Sequence, residues 1–482
     1  MLFNSFRFLI FFPLVVAAYF AIPHKYRWIL LLIASYYFYM CWKAEYLILI
    51  IVSTLIDYFA GLQMGKIPEK EKRKPYLILS LCMNFGLLFS FKYFNFFNES
   101  FRQLFQYFNI IYHVPSLKVL LPVGISFYTF QTLSYTIDVY RGERQPEKHL
   151  GIFALYVAFF PQLVAGPIER STRLLPQFFE KMEFDYQRVK DGLLLMTWGF
   201  FKKVVIADWV AIYINQIYHN PAYYPGLPSI TATYFFAFQI YCDFSGYSDI
   251  AIGAAQVMGY RLMLNFNRPY FAKSIAEFWK RWHISLTSWF RDYLYISLGG
   301  NRVERWRWFT NILIVFLLSG LWHGANWTFI LWGALHGSYY LISIWTENLR
   351  IRLQQVIGLI RFPCLHKCLK ILVTFHLVLF SWIFFRANSL YDAFLIIGNL
   401  FSSFELNSLF TVSGFGKQHF FLAIISIFIL VAVELFQRQH KVADWLRARP
   451  VLVRWLIYYG GVMIILLFGA YDNSRAFIYF QF

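Results

Sequence analysis

Apolar runs of about twenty residues, separated by short basic loops, recur from the N-terminus to near Ala470. A bilayer-spanning helix needs about 20 mainly apolar residues, so the pattern predicts crossings near 5–22, 27–43, 45–64, 76–94 and 119–139. Two more fall within 204–260, and the last group lies near 309–322, 326–346, 371–387, 419–436 and 455–470. The run GIFALYVAFFPQLVAGPIER is short, broken by Pro161, Gly166 and Pro167, and followed by a basic stretch from Arg170 to Lys190. A broken, re-entrant helix over 151–168 keeps both flanks on one side, and irregular backbone at membrane depth is tolerated where protein or a water-filled cavity surrounds it. Phe94, Phe97, Phe101, Leu104, Phe105 and Phe108 recur at helical spacing among polar residues, which predicts an amphipathic helix lying in the interface. The expected fold is all-α: a polytopic integral membrane protein with about eleven crossings plus re-entrant and interfacial helices, forming one domain over 1–482.

Composition agrees, with 59% hydrophobic and 14% charged residues in a chain of 482. The net charge of +19 does not mark a nucleic-acid binder, because Lys and Arg concentrate in loops such as KIPEKEKRK (Lys66–Lys74), Arg261–Arg307 and Arg350–Lys370. Excess Lys and Arg mark cytoplasmic loops, and counting outward from Lys66–Lys74 places the N-terminus outside. The first run is read as a retained span, not a cleaved signal, since it shows no small-residue cleavage site. Five scattered cysteines argue against a disulfide framework. Cys364 and Cys368 flank His366, but two thiols and one imidazole make an incomplete ligand set, and no metal site is expected.

Ionisable residues inside spans are costly and default to functional candidates. His323 sits in GLWHGANW (Gly320–Trp327), late in a crossing and about 20 Å from its cytoplasmic edge at 1.5 Å per residue. Trp322 and Trp327 flank it, and Asn326 follows at i+3, the spacing of a helical neighbour. The residues leave two readings level: a neutral imidazole base, or a packed histidine at a helix break. A second constellation, Asn265–Arg302, contains Ser274 and Glu277 at capping-box spacing, Glu277 and Arg281 at ion-pair spacing, and Trp279, Trp282 and His283 beside a cationic run. It suits either an entrance for an anionic donor at the cytoplasmic boundary or a surface helix whose Lys and Arg reach lipid headgroups. Asp243 and Asp249 in YCDFSGYSDIAIG either line a polar cavity or pair with Arg141, Arg281 or Arg291. His336, thirteen residues beyond His323, falls on another helical face and reads as packing.

Several stretches together resemble the membrane-bound O-acyltransferase family, in its bacterial branch of the alginate O-acetyltransferase membrane-subunit type. They are LPVGISFYTFQTLSYTIDVYRG (Leu121–Gly142), FFPQLVAGPIER (Phe159–Arg170), YCDFSGYSDIAIG, EFWKRWHISLTSWFRDYLYISLGGNR (Glu277–Arg302) and GLWHGANWTFILWGALHG. The resemblance covers residues 1–390, with 121–346 as catalytic core, and reaches 371–482 only through hydropathy. It implies that His323 matches the catalytic histidine and His283 the second signature position. Asn326, Trp322, Trp327, Trp282, Arg281, Glu277 and Asp243 would line the substrate tunnel. It further implies a ring of tilted helices around a central funnel, with a thioester donor such as acetyl-CoA entering from the cytoplasm and no bound cofactor. The acceptor would be a hydroxyl of an exported polysaccharide, reached directly or through a periplasmic acetyltransferase partner of the SGNH-like kind, at the bacterial inner membrane. A D-alanyl transfer protein fed by an acyl carrier protein, and a polysaccharide transporter or flippase, are the competing expectations.

Overall fold

The computed structural model describes residues 1–164, 166–402, 404–440, 442–471 and 478, and among them regular structure is helical throughout. Ala165, within the expected re-entrant segment, and 472–477 and 479–482, at the end of the 371–482 block, lie outside the described residues. Among the described residues five helices are long and apolar enough to cross a membrane: Ala44–Lys66, Lys70–Tyr107, Pro363–Arg386, Lys417–Phe436 and Val451–Phe468. Most other expected crossings are present as helices too, but they are shorter, less apolar or more deeply enclosed. Ile125–Arg141 is buried on nearly every face.

The chain divides into two compact units, residues 1–193 with 251–263, and 194–250 with 264–482. In the first, the expected break in the 151–168 segment is real: the helix Leu150–Ala158 stops at Phe159 and a four-residue helix Phe160–Leu163 restarts. Gly124 sits at φ +76, and a Cβ there would come within 2.7 Å of the Leu163 carbonyl, so only glycine allows the broken helix to approach so closely. The predicted interfacial helix is Phe94–Tyr107, with Asn98 its one buried residue, and it continues from the crossing before it through a π-helical turn at Phe89–Tyr93.

Buried polar side chains of the first unit satisfy one another. Asp57 is fully buried and accepts from Ser80 Oγ at 2.5 Å and from Asn84 Nδ2 at 3.0 Å. Thr136 Oγ1 reaches the same carboxylate at 3.4 Å, and Ser53 Oγ donates to Asn84 Oδ1 at 2.8 Å. This cluster ties the helices Leu47–Lys66, Lys70–Leu88 and Ile125–Arg141 together by hydrogen bonds where apolar surface alone supplies little drive. Glu169, buried beside the broken helix, accepts a hydrogen bond from the Met263 amide.

In the second unit the helices Arg305–His323 and Trp327–Trp345 form an antiparallel hairpin. A Cβ on Gly320 would lie 2.3 Å from the Phe329 carbonyl, and one on Gly333 would lie 2.3 Å from that of Phe316. The two backbones therefore touch, as small residues permit in membrane helix pairs. That contact fixes where His323, the last residue of the first helix, points.

Two outcomes are expected. Gly333→Val should force the hairpin apart and lower the thermal midpoint of the purified protein, whereas Gly398→Ala, with open space around it, should not lower it. Burial raises the Glu169 carboxyl from 4.5 to about 7, so its proton is held more tightly in the folded than in the unfolded chain. That contribution is complete below 4.5 and fades as pH rises through about 7. Thermal midpoints of the wild type should fall across this window, and those of Glu169→Gln should not; parallel curves would contradict the assignment.

Candidate active site

Asn265 to Arg302 contains no long helix. The chain passes Asn265–Arg268, turns through the short helix Ile275–Trp279, and enters Ile284–Trp289. Ser274 caps the first of these, its Oγ accepting from Glu277 N at 3.1 Å, as its spacing predicts. The return half of the capping box is shifted by one residue: Glu277 Oε2 accepts from Lys273 N at 2.8 Å. Arg281 Nη2 pairs with Glu277 Oε1 at 2.6 Å, the expected i,i+4 bridge.

His283 adopts the left-handed conformation, φ 42 and ψ 55, a region that costs a non-glycine residue roughly 1–2 kcal/mol. The surrounding backbone holds it there. Asn267 N donates to Arg281 O at 2.9 Å and Ile284 N donates to Asn265 O at 2.9 Å, so the Asn265–Asn267 segment grips the histidine turn from both sides. Its imidazole is fully buried, edge-on to Phe244 with ring centroids 4.6 Å apart. Burial pushes its pKa down to about 3, because a low-dielectric surround penalises the imidazolium. The ring is neutral at physiological pH.

His323 is also buried, at the C-terminal end of its helix. Its ring lies 6.4 Å from that of His283, and Trp322 stands next to both, at 5.0 Å and 5.9 Å. Trp332 and Phe385 meet its other sides at 5.0 Å and 5.3 Å. Two residues forty positions apart in sequence, each from a motif singled out above, thus share one aromatic-walled chamber. A pair of buried imidazoles at this separation can bracket a small reacting group and hold or move its proton.

The neighbours expected around them divide. Trp322 belongs to the chamber. Trp282 is fully buried, stacked on Phe278 at 5.5 Å and 5.1 Å from Trp382, so it supports the wall beneath His283. Asn326 does not stand beside His323 as a helical neighbour, because the helix ends at His323 and Gly324 is extended. Its side chain instead caps the next helix, accepting from Thr328 N at 3.1 Å and donating to Asn388 O at 3.1 Å. Trp327, the first residue of that helix, is 53% exposed and lies outside the chamber. The same turn removes the premise that set His336 apart. The chain doubles back, and His336 packs at 4.9 Å from Trp332, one layer behind His323, with Nε2 2.8 Å from Ser381 Oγ.

Asp243 and Asp249 pair with lysines, not with Arg141, Arg281 or Arg291. Lys203 Nζ lies 2.7 Å from Asp243 Oδ1 and 2.9 Å from Asp208 Oδ1, and Lys202 Nζ lies 2.6 Å from Asp249 Oδ2. Both lysines occupy a π-helical stretch, Phe201–Ala207, which aims consecutive side chains inward. The Ile478 amide donates to Asp243 Oδ2 at 2.7 Å. Asp243 is therefore part of a buried ion network, outside the aromatic wall of the histidine chamber. Sequence reasoning missed Lys202, Lys203, Asn265, Trp332 and Trp382. The signal for the lysines was two cations at the rim of an apolar run facing two acids one helix later; nothing local marked the tryptophans.

The match to the membrane-bound O-acyltransferase (MBOAT) family model spans residues 149–389, which include both histidines. The chain belongs to that family and is an O-acyltransferase. It is similar to the probable alginate O-acetylase AlgI of Pseudomonas aeruginosa, 41% identical over 83% of this chain and 74% of that protein. The protein of the same name in Pseudomonas putida is 37% identical over 99% of both chains. A peptidoglycan O-acetyltransferase of Helicobacter pylori is 35% identical over 76% of this chain and 72% of its own length.

Replacing Lys203 with Met should leave Asp208 and Asp243 buried without their shared cation, a loss of about 3–5 kcal/mol. Thermal unfolding in detergent should show it, and adding Asp243→Asn should restore part of the midpoint. No change on Lys203→Met would contradict the network as drawn.

Proposed function

We propose that this enzyme moves an acetyl group from a cytoplasmic thioester, acetyl-CoA, to a hydroxyl of an exported polysaccharide, with the transfer taking place between His283 and His323. The observation that carries this reading is the pair of buried imidazoles 6.4 Å apart within one aromatic chamber. The names of the relatives, which acetylate alginate or peptidoglycan, support the acceptor class.

In the proposed step, the acceptor oxygen forms a bond to the thioester carbonyl carbon while His323 takes the hydroxyl proton. The tetrahedral intermediate collapses with loss of the thiolate, which recovers that proton from His323. Charge and protons balance without a cofactor. General-base assistance of this kind contributes about 10²–10⁴ in rate. His283 orients a reacting partner. The cationic stretch 273–302, with Lys273, Lys280, Arg281, Arg291 and Arg302, suits the phosphates of coenzyme A at the cytoplasmic edge. The donor enters there and the acceptor from outside, through a funnel formed by about eleven crossings of the inner membrane, with the N-terminus extracytoplasmic. The first acceptor is the polysaccharide itself or a periplasmic SGNH-like partner, and the exposed Phe101, Leu104 and Phe108 of the interfacial region offer that partner a surface.

His323→Ala, at wild-type membrane level and thermal midpoint, should reduce acetyl esters on the exported polysaccharide by at least about 100-fold. Unchanged ester content would refute the assignment. Purified enzyme offered acetyl-CoA or a D-alanyl-charged carrier protein should turn over the first; turnover of the carrier alone would favour D-alanyl transfer.

A further inference from the structure

The proton positions on His283 follow from its neighbours. Asn265 Oδ1 receives three contacts: Ser285 N at 3.3 Å, Ser285 Oγ at 2.9 Å and His283 Nδ1 at 3.1 Å. A backbone N–H can only donate, so the amide atom facing Ser285 N must be oxygen. The opposite end of the same amide agrees, since Nδ2 lies 3.2 Å from Ser248 Oγ and donates to it. An imidazole nitrogen that meets a carbonyl oxygen must itself carry a proton.

We infer that Asn265 is a positioning residue that holds His283 as the Nδ1–H tautomer, so that Nε2 presents a lone pair and never a proton to the chamber. This deepens the acyl-transfer reading and rests on it for its catalytic meaning. A neutral Nε2 acceptor can orient a hydroxyl or an amide N–H, and it cannot stabilise a developing oxyanion, which needs a donor. His283 therefore holds the attacking hydroxyl, or an amide N–H of the donor's pantetheine arm, while His323 takes the proton. All four residues of the relay are buried: Ser248, Asn265, His283 and Ser285. In such surroundings a lost tautomer preference is not replaced by water.

Two substitutions separate positioning from folding. Asn265→Asp keeps an acceptor against His283 Nδ1 and Ser285, and Ser248 Oγ–H can turn to donate to it. Asn265→Ala removes the acceptor. Full-length protein labelled with ¹⁵N-histidine, in nanodiscs, would be compared with His283→Gln to assign the His283 signals. The wild type and Asn265→Asp should show a protonated Nδ1 and a bare Nε2, and Asn265→Ala should lose that state. Acetyl esters on the exported polysaccharide should fall about 100-fold in Asn265→Ala and stay within about tenfold of wild type in Asn265→Asp. A wild-type His283 protonated at Nε2, or an Asn265→Ala protein with its tautomer unchanged, would overturn the proposal. If the tautomers behave as stated while His283→Gln retains full ester content, Asn265 still positions the ring and the acyl-transfer role of His283 fails instead.

Discussion

A lipid bilayer offers no hydrogen bonds, so each polar group carried into this protein must find its partner within the chain. That constraint explains arrangements that otherwise look unrelated. Asp57 is surrounded by hydroxyls and an amide from two neighbouring helices. Lys203 is shared by two carboxylates and Lys202 is held by a third. The same requirement shapes the histidine chamber, where the His283 turn is held by main-chain bonds from Asn265 and Asn267 and its ring by the Asn265 amide. Removing one partner leaves a buried donor or acceptor exposed to nothing, at about 1–3 kcal/mol or more.

Rigidity matters because the chamber is assembled from distant parts of the chain. His283 comes from an irregular loop, His323 from the end of a helix, and Trp382 and Phe385 from a helix sixty residues later. Close contact at Gly320 and Gly333 sets the depth of His323, and the left-handed turn at His283 sets the direction of its ring. Orientation held this way does not have to be recovered from solvent during the reaction, which is the principal gain from a preformed site. The His283 imidazole is neutral in such surroundings, since burial disfavours its charged form.

Much of this was legible in the sequence, and the failures have physical causes. Periodic apolar runs located the helices Arg305–His323, Trp327–Trp345 and Pro363–Arg386 to within a few residues at most of their ends. Pro161 and the glycines around it announced the broken helix at Phe159. Glu277 and Arg281 paired as i,i+4 spacing demands. Reasoning failed where it assumed a helix continued: carrying helical geometry through Gly324 misplaced Asn326, because the chain reverses there, while His336 is the packing residue expected, buried against Trp332. It failed again for Asp243 and Asp249, whose partners were sought among arginines in loops although two lysines stood at the rim of an apolar run. Their inward aim depends on a π-helical turn that no periodicity rule anticipates.

The central claim is that one thioester is held between the two imidazoles. Electron cryo-microscopy of the enzyme with a non-hydrolysable thioether analogue of acetyl-CoA tests it directly. The account predicts the analogue's acetyl-equivalent carbon lodged between the rings of His283 and His323, about 3–4 Å from the nearer nitrogen of each, with its phosphates against the cationic stretch 273–302. An analogue bound with its reactive end elsewhere, or with only one histidine in reach, would contradict it.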